Sequence, residues 1–344
     1  MTQRPTLLSV TDLRVGFPDG PKGRETLHAV RDVSFDLAEG EVLALVGESG
    51  AGKSLTARVL LGMAPPAART SGSVRFRGRE LLGASRSGYA GLWGRHVAFV
   101  PQDALSVLSP VHTVGDQLAA AVRSVRRTGR AEARAAAVAA LDRVGIADAA
   151  RRAGAYPHEF SGGMRQRAVI AMAMINEPDL VVADEPTTAL DPDVQEQVLG
   201  LLASLRETTG AALLLVTHDL DVVARHADRV LVLYAGETAE HGPVERVLGR
   251  PRAPYTAGLL ASLPPGEPTG SRLLPVINGS PPTLREASSS PGCAFAPRCP
   301  LAADPCRTRR PTPSEVDAGH LVSCHRLTDV PDVPTCLFQP GGNG

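Results

Sequence analysis

Runs of consecutive apolar residues recur through the first part of the chain, at Glu41–Val46, Val97–Val100, Leu180–Ala183, Ala211–Val216 and Arg229–Leu233. Each has the length of a strand and lacks the polar alternation of a half-solvated one, so both of its faces are expected to be buried. Longer amphipathic stretches separate them. Buried strands alternating with helices predict an α/β fold, a mostly parallel sheet covered on both faces. Residues 115–145 are rich in Ala and Arg with Leu and Val at helical spacing, and predict helices packed outside that sheet. No internal repeat is visible, so one copy of the unit is expected. Beyond residue 250 neither period is easy to find, and 17 of the 29 prolines fall in residues 251–344, which places a boundary near 250.

Composition narrows the function. At ~100–200 residues per domain, the 344 residues predict two domains, 1–250 and 251–344. Lys+Arg and Asp+Glu are both 36, so the chain lacks the basic excess of a nucleic-acid or anionic-membrane binder, and no nucleic-acid partner is expected. Arg123, Arg126, Arg127, Arg130 and Arg134 form one local basic cluster, which we take as a solvated helical face. Of the 36 cations only Lys22 and Lys53 are Lys. Lys22 has no evident role. All five Cys follow residue 292, so the rest of the chain is stable without disulfides. No run approaches the ~18–20 apolar residues of a membrane span, and the N-terminus lacks a signal-peptide core, which predicts a cytoplasmic location.

Gly47-Glu48-Ser49-Gly50-Ala51-Gly52-Lys53-Ser54 matches G-x-x-x-x-G-K-[ST], directly after an apolar strand and before the helix-like Leu55–Leu61. Such a loop turns its backbone N–H groups inward at a helix start, and so binds polyphosphate. Lys53 would reach the β- and γ-phosphates, and the Ser54 hydroxyl would ligate Mg²⁺. In a chain that uses Arg almost everywhere, a retained Lys suits a loop too tight for a planar guanidinium. Leu180-Val181-Val182-Ala183-Asp184-Glu185 supplies the complementary half, with its first charges at the C-terminal end of a buried strand, where ligands sit in open α/β sheets. Asp184 would hold Mg²⁺, and Glu185 would accept a proton from the attacking water. No N-K-x-D guanine motif occurs, which opposes a conventional GTPase.

Phe160-Ser161-Gly162-Gly163-Met164-Arg165-Gln166-Arg167 resembles the signature of ATP-binding-cassette ATPases. Other motifs of that family appear in order: Gln102 after Val-Pro, Ala189-Leu190-Asp191, and His218 in Val-Thr-His-Asp. The resemblance implies a P-loop (RecA-like) core with an antiparallel β portion and an inserted α-helical subdomain at about 103–165. It also implies a head-to-tail dimer with a second cassette, identical or paralogous. In that dimer Ser161, Gly162, Gly163, Gln166 and Asp191 of one chain meet the nucleotide on the other's P-loop. His218 would contact the γ-phosphate, Gln102 would sense Mg²⁺ and the water, and Phe17 stands where family members stack an aromatic on adenine, with core packing as its rival.

Gln102-Asp103, Leu108-Ser109-Pro110, Tyr156-Pro157-His158-Glu159-Phe160, Tyr234-Ala235-Gly236, Pro254-Tyr255-Thr256 and Gly292-Cys293-Ala294-Phe295-Ala296-Pro297-Arg298-Cys299-Pro300 are similar to the peptide-importer branch. That branch serves oligopeptide, dipeptide and related nickel uptake. The resemblance implies an ATPase at the cytoplasmic side of the membrane, bound to two permease subunits and served by an extracytoplasmic binding protein. A soluble cassette acting on nucleic acid or ribosomes is the rival, opposed by the single cassette and the lack of long insertions. Cys293, Cys299, Cys306 and Cys324 lack the close C-x2-C pairs of structural zinc. Resemblance to the branch implies a [4Fe–4S] cluster on them, with zinc or metal-free thiols as alternatives; His325 is a substitute ligand or a surface residue, and Cys336 is free.

Overall fold

The computed structural model describes residues 4–19, 25–188, 191–263 and 275–338. Lys22, Ala189 and Leu190, singled out above, lie outside the described residues. Packing gathers the chain into two compact units, one of Met1–Leu8, Leu37–Val42 and Ala84–Val216, the other of Ser9–Asp36, Leu43–Gly83 and Thr217–Gly344.

In the first unit the strands Val97–Val100, Leu180–Asp184 and Ala212–Val216 run parallel, with Val97 opposite Leu180 and Leu180 opposite Ala212. Every residue of the latter two strands is buried, which is why their sequences are continuously apolar. Ahead of Val42, Glu41 stops the apolar run because its carboxylate accepts the Ala38 N–H at 2.7 Å. The Ala- and Arg-rich region forms the helices Val114–Val125 and Arg130–Arg143. Thr113 caps the first of these, accepting the Asp116 N–H at 3.2 Å. The five clustered arginines are all exposed, as a solvated face requires.

The second unit holds two kinds of sheet. Glu25–Ala38, Thr6–Asp19, Arg69–Phe76 and Arg79–Glu80 lie side by side in that order, the last two antiparallel. Separately, Val42–Val46 pairs in parallel with Arg229–Tyr234, which pairs antiparallel with Glu237–Pro243. The proline-rich end of the chain then adds two strands that periodicity did not reveal, His320–Val322 against Glu237–Pro243 and Ser314–Asp317 against His320–Val322. At three and four residues they are too short to show alternation.

Core packing carries the late segments into the same unit. Ala44, Val46, Val230 and Val232 share one apolar cluster with Tyr255, Ala294 and Phe295. Tyr234, Tyr255 and Phe295 form its aromatic centre, with ring centroids 4.5, 5.2 and 5.3 Å apart in tilted and edge-on arrangements. Glu240, 0 % exposed, accepts the Arg252 and Ala253 N–H groups at 2.7 and 3.0 Å and pairs with the His320 ring at 2.8 Å. A buried carboxylate demands that many donors, and here they come to the strand from the helix entry and the late hairpin. Among the described residues no helix is long and apolar enough to cross a membrane.

Candidate functional site

The glycine-rich loop belongs to the second unit and runs from the buried strand Val42–Val46 into the helix Lys53–Leu60. Lys53 is buried and folds back on the loop, donating to the Gly47 and Glu48 carbonyls at 2.7 and 3.1 Å. The loop is braced from outside by a turn following Arg229–Tyr234, where the Gly236 N–H donates to the Ala51 carbonyl at 3.1 Å. Ser49 and Gly50 at its tip are exposed. His218, exposed, follows Thr217, whose N–H donates to the Leu45 carbonyl at 3.1 Å and so ties this segment to the strand that precedes the loop. Asp219 caps the next helix through the Asp221 and Val222 N–H groups. Phe17 is half-buried on the strand Thr6–Asp19.

Asp184, buried at the end of its strand, and Glu185, half-buried after it, belong to the first unit. Glu185 has φ 47°, a left-handed conformation uncommon for a residue with a Cβ. Its N–H donates to the Val216 carbonyl at 2.9 Å, and the Thr188 N–H returns to its own carbonyl at 3.4 Å. Strain of this kind collects where a side chain must be aimed. The carboxylate is aimed by two donors to Oε2, Gln102 Nε2 at 3.1 Å and Thr188 Oγ1 at 2.8 Å. Thr188 escaped the sequence reading, although it lies three residues past Glu185, within reach of a single turn.

In the same unit Ser161 caps the helix Gly162–Met174, its Oγ accepting the Met164 N–H at 3.3 Å, so Gly162 and Gly163 form the first positions of a 13-residue helix. Their N–H groups are among those a helix leaves without internal partners. Gln166 is 3 % exposed, with its amide nitrogen buried and lacking a hydrogen-bond partner. Asp191 caps the helix Pro192–Thr209 by accepting the Val194 N–H at 3.0 Å.

Two residues near the loop were flagged above only for branch resemblance. Tyr255 accepts the Glu48 N–H at 2.8 Å, and Arg298 meets both Glu48 carboxylate oxygens, Nη1 to Oε2 at 2.7 Å and Nη2 to Oε1 at 3.1 Å.

Cys293, Cys299, Cys306 and Cys324 line one cavity of about 50 Å³ in the second unit. The expected cluster or zinc is not supported there. Among the described residues no group of three or more His, Cys, Asp or Glu is arranged to hold a metal ion. Burial pushes the Cys293 thiol up to about 11 and the Cys299 thiol up to about 12, and raises Cys324. The spacing marks four thiols that share one cavity.

Two family models match the chain, ABC transporter over residues 30–188 and the oligopeptide/dipeptide transporter C-terminal region over residues 239–306. The chain is 49 % identical to the oligopeptide transport ATP-binding protein OppD of Mycobacterium tuberculosis, over 93 % of this chain and 52 % of that protein, so it spans about half the length of that relative. It is 45 % identical to the probable peptide ABC transporter ATP-binding protein y4tR of Sinorhizobium fredii, over 94 % of this chain and 96 % of that one. Among solved structures, the ATP-binding cassette MJ0796, a dimer bound to ADP and Pi, aligns with a TM-score of 0.62 at 26 % identity, covering 69 % of this chain and 99 % of that one.

Proposed function

The chain belongs to the ATP-binding-cassette family, in the branch of peptide-transporter ATP-binding proteins, and from that premise we propose that it is the ATP-hydrolysing subunit of an importer for oligopeptides or dipeptides. The observation that carries the reading is the loop itself, with Lys53 resting on the Gly47 and Glu48 carbonyls at the start of Lys53–Leu60. An ammonium held by two weakly basic carbonyls is ready to exchange them for phosphate oxygens. Gly47, Glu48, Ser49, Gly50, Ala51 and Gly52 are then the cradle for the triphosphate, and Phe17 the face for adenine.

Ser54, Asp184 and Gln102 are the residues we assign to the Mg²⁺ that would accompany ATP. Hydroxyl, carboxylate and amide oxygens suit a hard cation, which would neutralise charge on the phosphates. Glu185, oriented by Gln102 and Thr188, accepts a proton from water as the water oxygen bonds to the γ-phosphorus. The bond to the β,γ-bridging oxygen breaks and ADP leaves. His218 holds the γ-phosphate against that water. Ser161, Gly162, Gly163, Gln166 and Asp191 serve the nucleotide of a second cassette in a head-to-tail dimer.

Residues 1–250 then act as the nucleotide-binding cassette and 251–344 as a peptide-transporter-type extension. Two permease subunits, an extracytoplasmic binding protein and a peripheral position on the cytoplasmic face of the membrane complete the proposal. Glu185→Gln is expected to keep ATP binding and to slow hydrolysis by ~10²–10⁴. Unchanged turnover would remove Glu185 from the mechanism. Import itself is tested by uptake of a labelled tripeptide in cells with and without the gene; equal uptake would refute the transport role.

A further inference from the structure

Glu48 places a carboxylate in a loop that we assign to a polyanion. An isolated negative charge there opposes binding, because charges interact over ångström distances with little water between them. Arg298 answers that charge from 250 residues away, through the bidentate contact at 2.7 and 3.1 Å. Its side chain is 6 % exposed and that of Glu48 23 %.

The guanidinium is itself held in place. Nε donates to the Asn278 carbonyl at 3.1 Å, Nη1 to the Tyr234 hydroxyl at 3.3 Å, and Nη2 to the Ile277 carbonyl at 3.4 Å. It also lies over the Tyr234 and Phe295 rings, 5.8 and 5.9 Å from their centroids. A planar fork engaged on every nitrogen loses little freedom when it clamps a carboxylate. Next to it, the buried Tyr255 hydroxyl takes the Glu48 N–H at 2.8 Å. Side chain and backbone of Glu48 are therefore both fastened to residues beyond 250, beside the carbonyl on which Lys53 rests.

We propose that Arg298 and Tyr255 are positioning residues for the nucleotide loop, Arg298 as the counter-ion of Glu48 and Tyr255 as the acceptor for its N–H, so that the late segment sets ATP affinity. This rests on the nucleotide-binding reading of the loop. A loop already ordered and already neutralised binds phosphate without ordering it or overcoming the Glu48 charge at that moment.

The test uses the full chain with Mg²⁺ and a fluorescent ATP analogue, together with steady-state ATPase measurements. Arg298→Ala is expected to raise the Kd and the KM for ATP roughly 10-fold and to leave kcat within about two-fold, with Arg298→Lys in between. Adding Glu48→Gln to Arg298→Ala deletes the unpaired charge, so the double variant should regain most of the affinity. A simple loss of packing would not be repaired by a second deletion. Wild-type affinity in Arg298→Ala, or a double variant as weak as Arg298→Ala, overturns the inference. Should Arg298→Ala fail to fold, Arg298→Lys, which keeps the charge on an aliphatic stem, and Tyr255→Phe, which keeps the ring, decide it; unchanged Kd in both overturns it. Failure of the wild-type chain to bind the analogue at all would instead refute the nucleotide-binding reading.

Discussion

Two glycines of the nucleotide loop make opposite demands, and substituting each by alanine separates them. Gly47 has φ +145°, and a Cβ built on it would stand 2.1 Å from the Leu233 carbonyl oxygen and 3.2 Å from the Ala51 Cβ. That oxygen belongs to the central strand Arg229–Tyr234, in which Leu233 is registered against Thr238, so it cannot move aside without disturbing the pairing. Gly50 has φ +80° with nothing within 4 Å of its virtual Cβ. For Gly50→Ala the cost is only the left-handed backbone, about 1–2 kcal/mol. Gly47→Ala combines backbone strain of about 1–3 kcal/mol with an overpacking cost of about 1–3 kcal/mol. Gly47→Ala should therefore be the less stable variant, by ~2 kcal/mol. In urea unfolding followed by far-UV circular dichroism, an m-value of roughly 3 kcal/mol/M makes that gap ~0.7 M in midpoint. Equal midpoints, or a lower one for Gly50→Ala, would refute the claim that Leu233 fixes the loop.

Two further expectations concern the second unit. Burial first, then the Arg229 and His320 charges, lower His241 to about 3, and Arg229 Nη2 lies 2.8 Å from its Nε2. Because the unfolded ring protonates near 6.5 and the folded ring does not, stability is full above 6.5 and falls as the pH drops from there toward 3. The loss is about 2 kcal/mol between pH 7 and 5, and unfolding of His241→Gln at the two pH values should show this component gone; an identical pH slope would sink the assignment. Iodoacetamide at pH 8 should alkylate the exposed Cys336 well before Cys293 and Cys299, whose thiols burial holds near 11 and 12. Peptide mass spectrometry showing Cys293 modified first would contradict that ordering.

Those features legible in the sequence are the ones written locally. Continuous apolar runs marked Val97–Val100, Leu180–Asp184 and Arg229–Tyr234 within a residue or so of their observed limits, because a parallel strand buried on both faces needs no polar residue. The loop from Gly47 to Ser54 was legible because close backbone wrapping and phosphate chemistry restrict residue types over eight consecutive positions. What stayed hidden depends on distance. Nothing in the local sequence of Glu48 announces Arg298, and Pro254-Tyr255-Thr256 stood out without disclosing that its hydroxyl takes a loop N–H. Thr188 was hidden differently, since its role follows from the backbone conformation of Glu185. Cysteine spacing marked a shared location, but ligand geometry is a three-dimensional property that spacing does not carry.

The 250 residues between Glu48 and Arg298 are also an interval of time. Synthesis at ~5–20 residues per second leaves the nascent loop without its counter-ion for ~10–50 s. During that wait Ala44 and Val46 lack Ala294 and Phe295, their partners in the apolar cluster. The part of the chain that would handle ATP is thus made early and finished late, so a ribosome that releases the chain before residue 298 delivers a loop that carries its own unanswered charge.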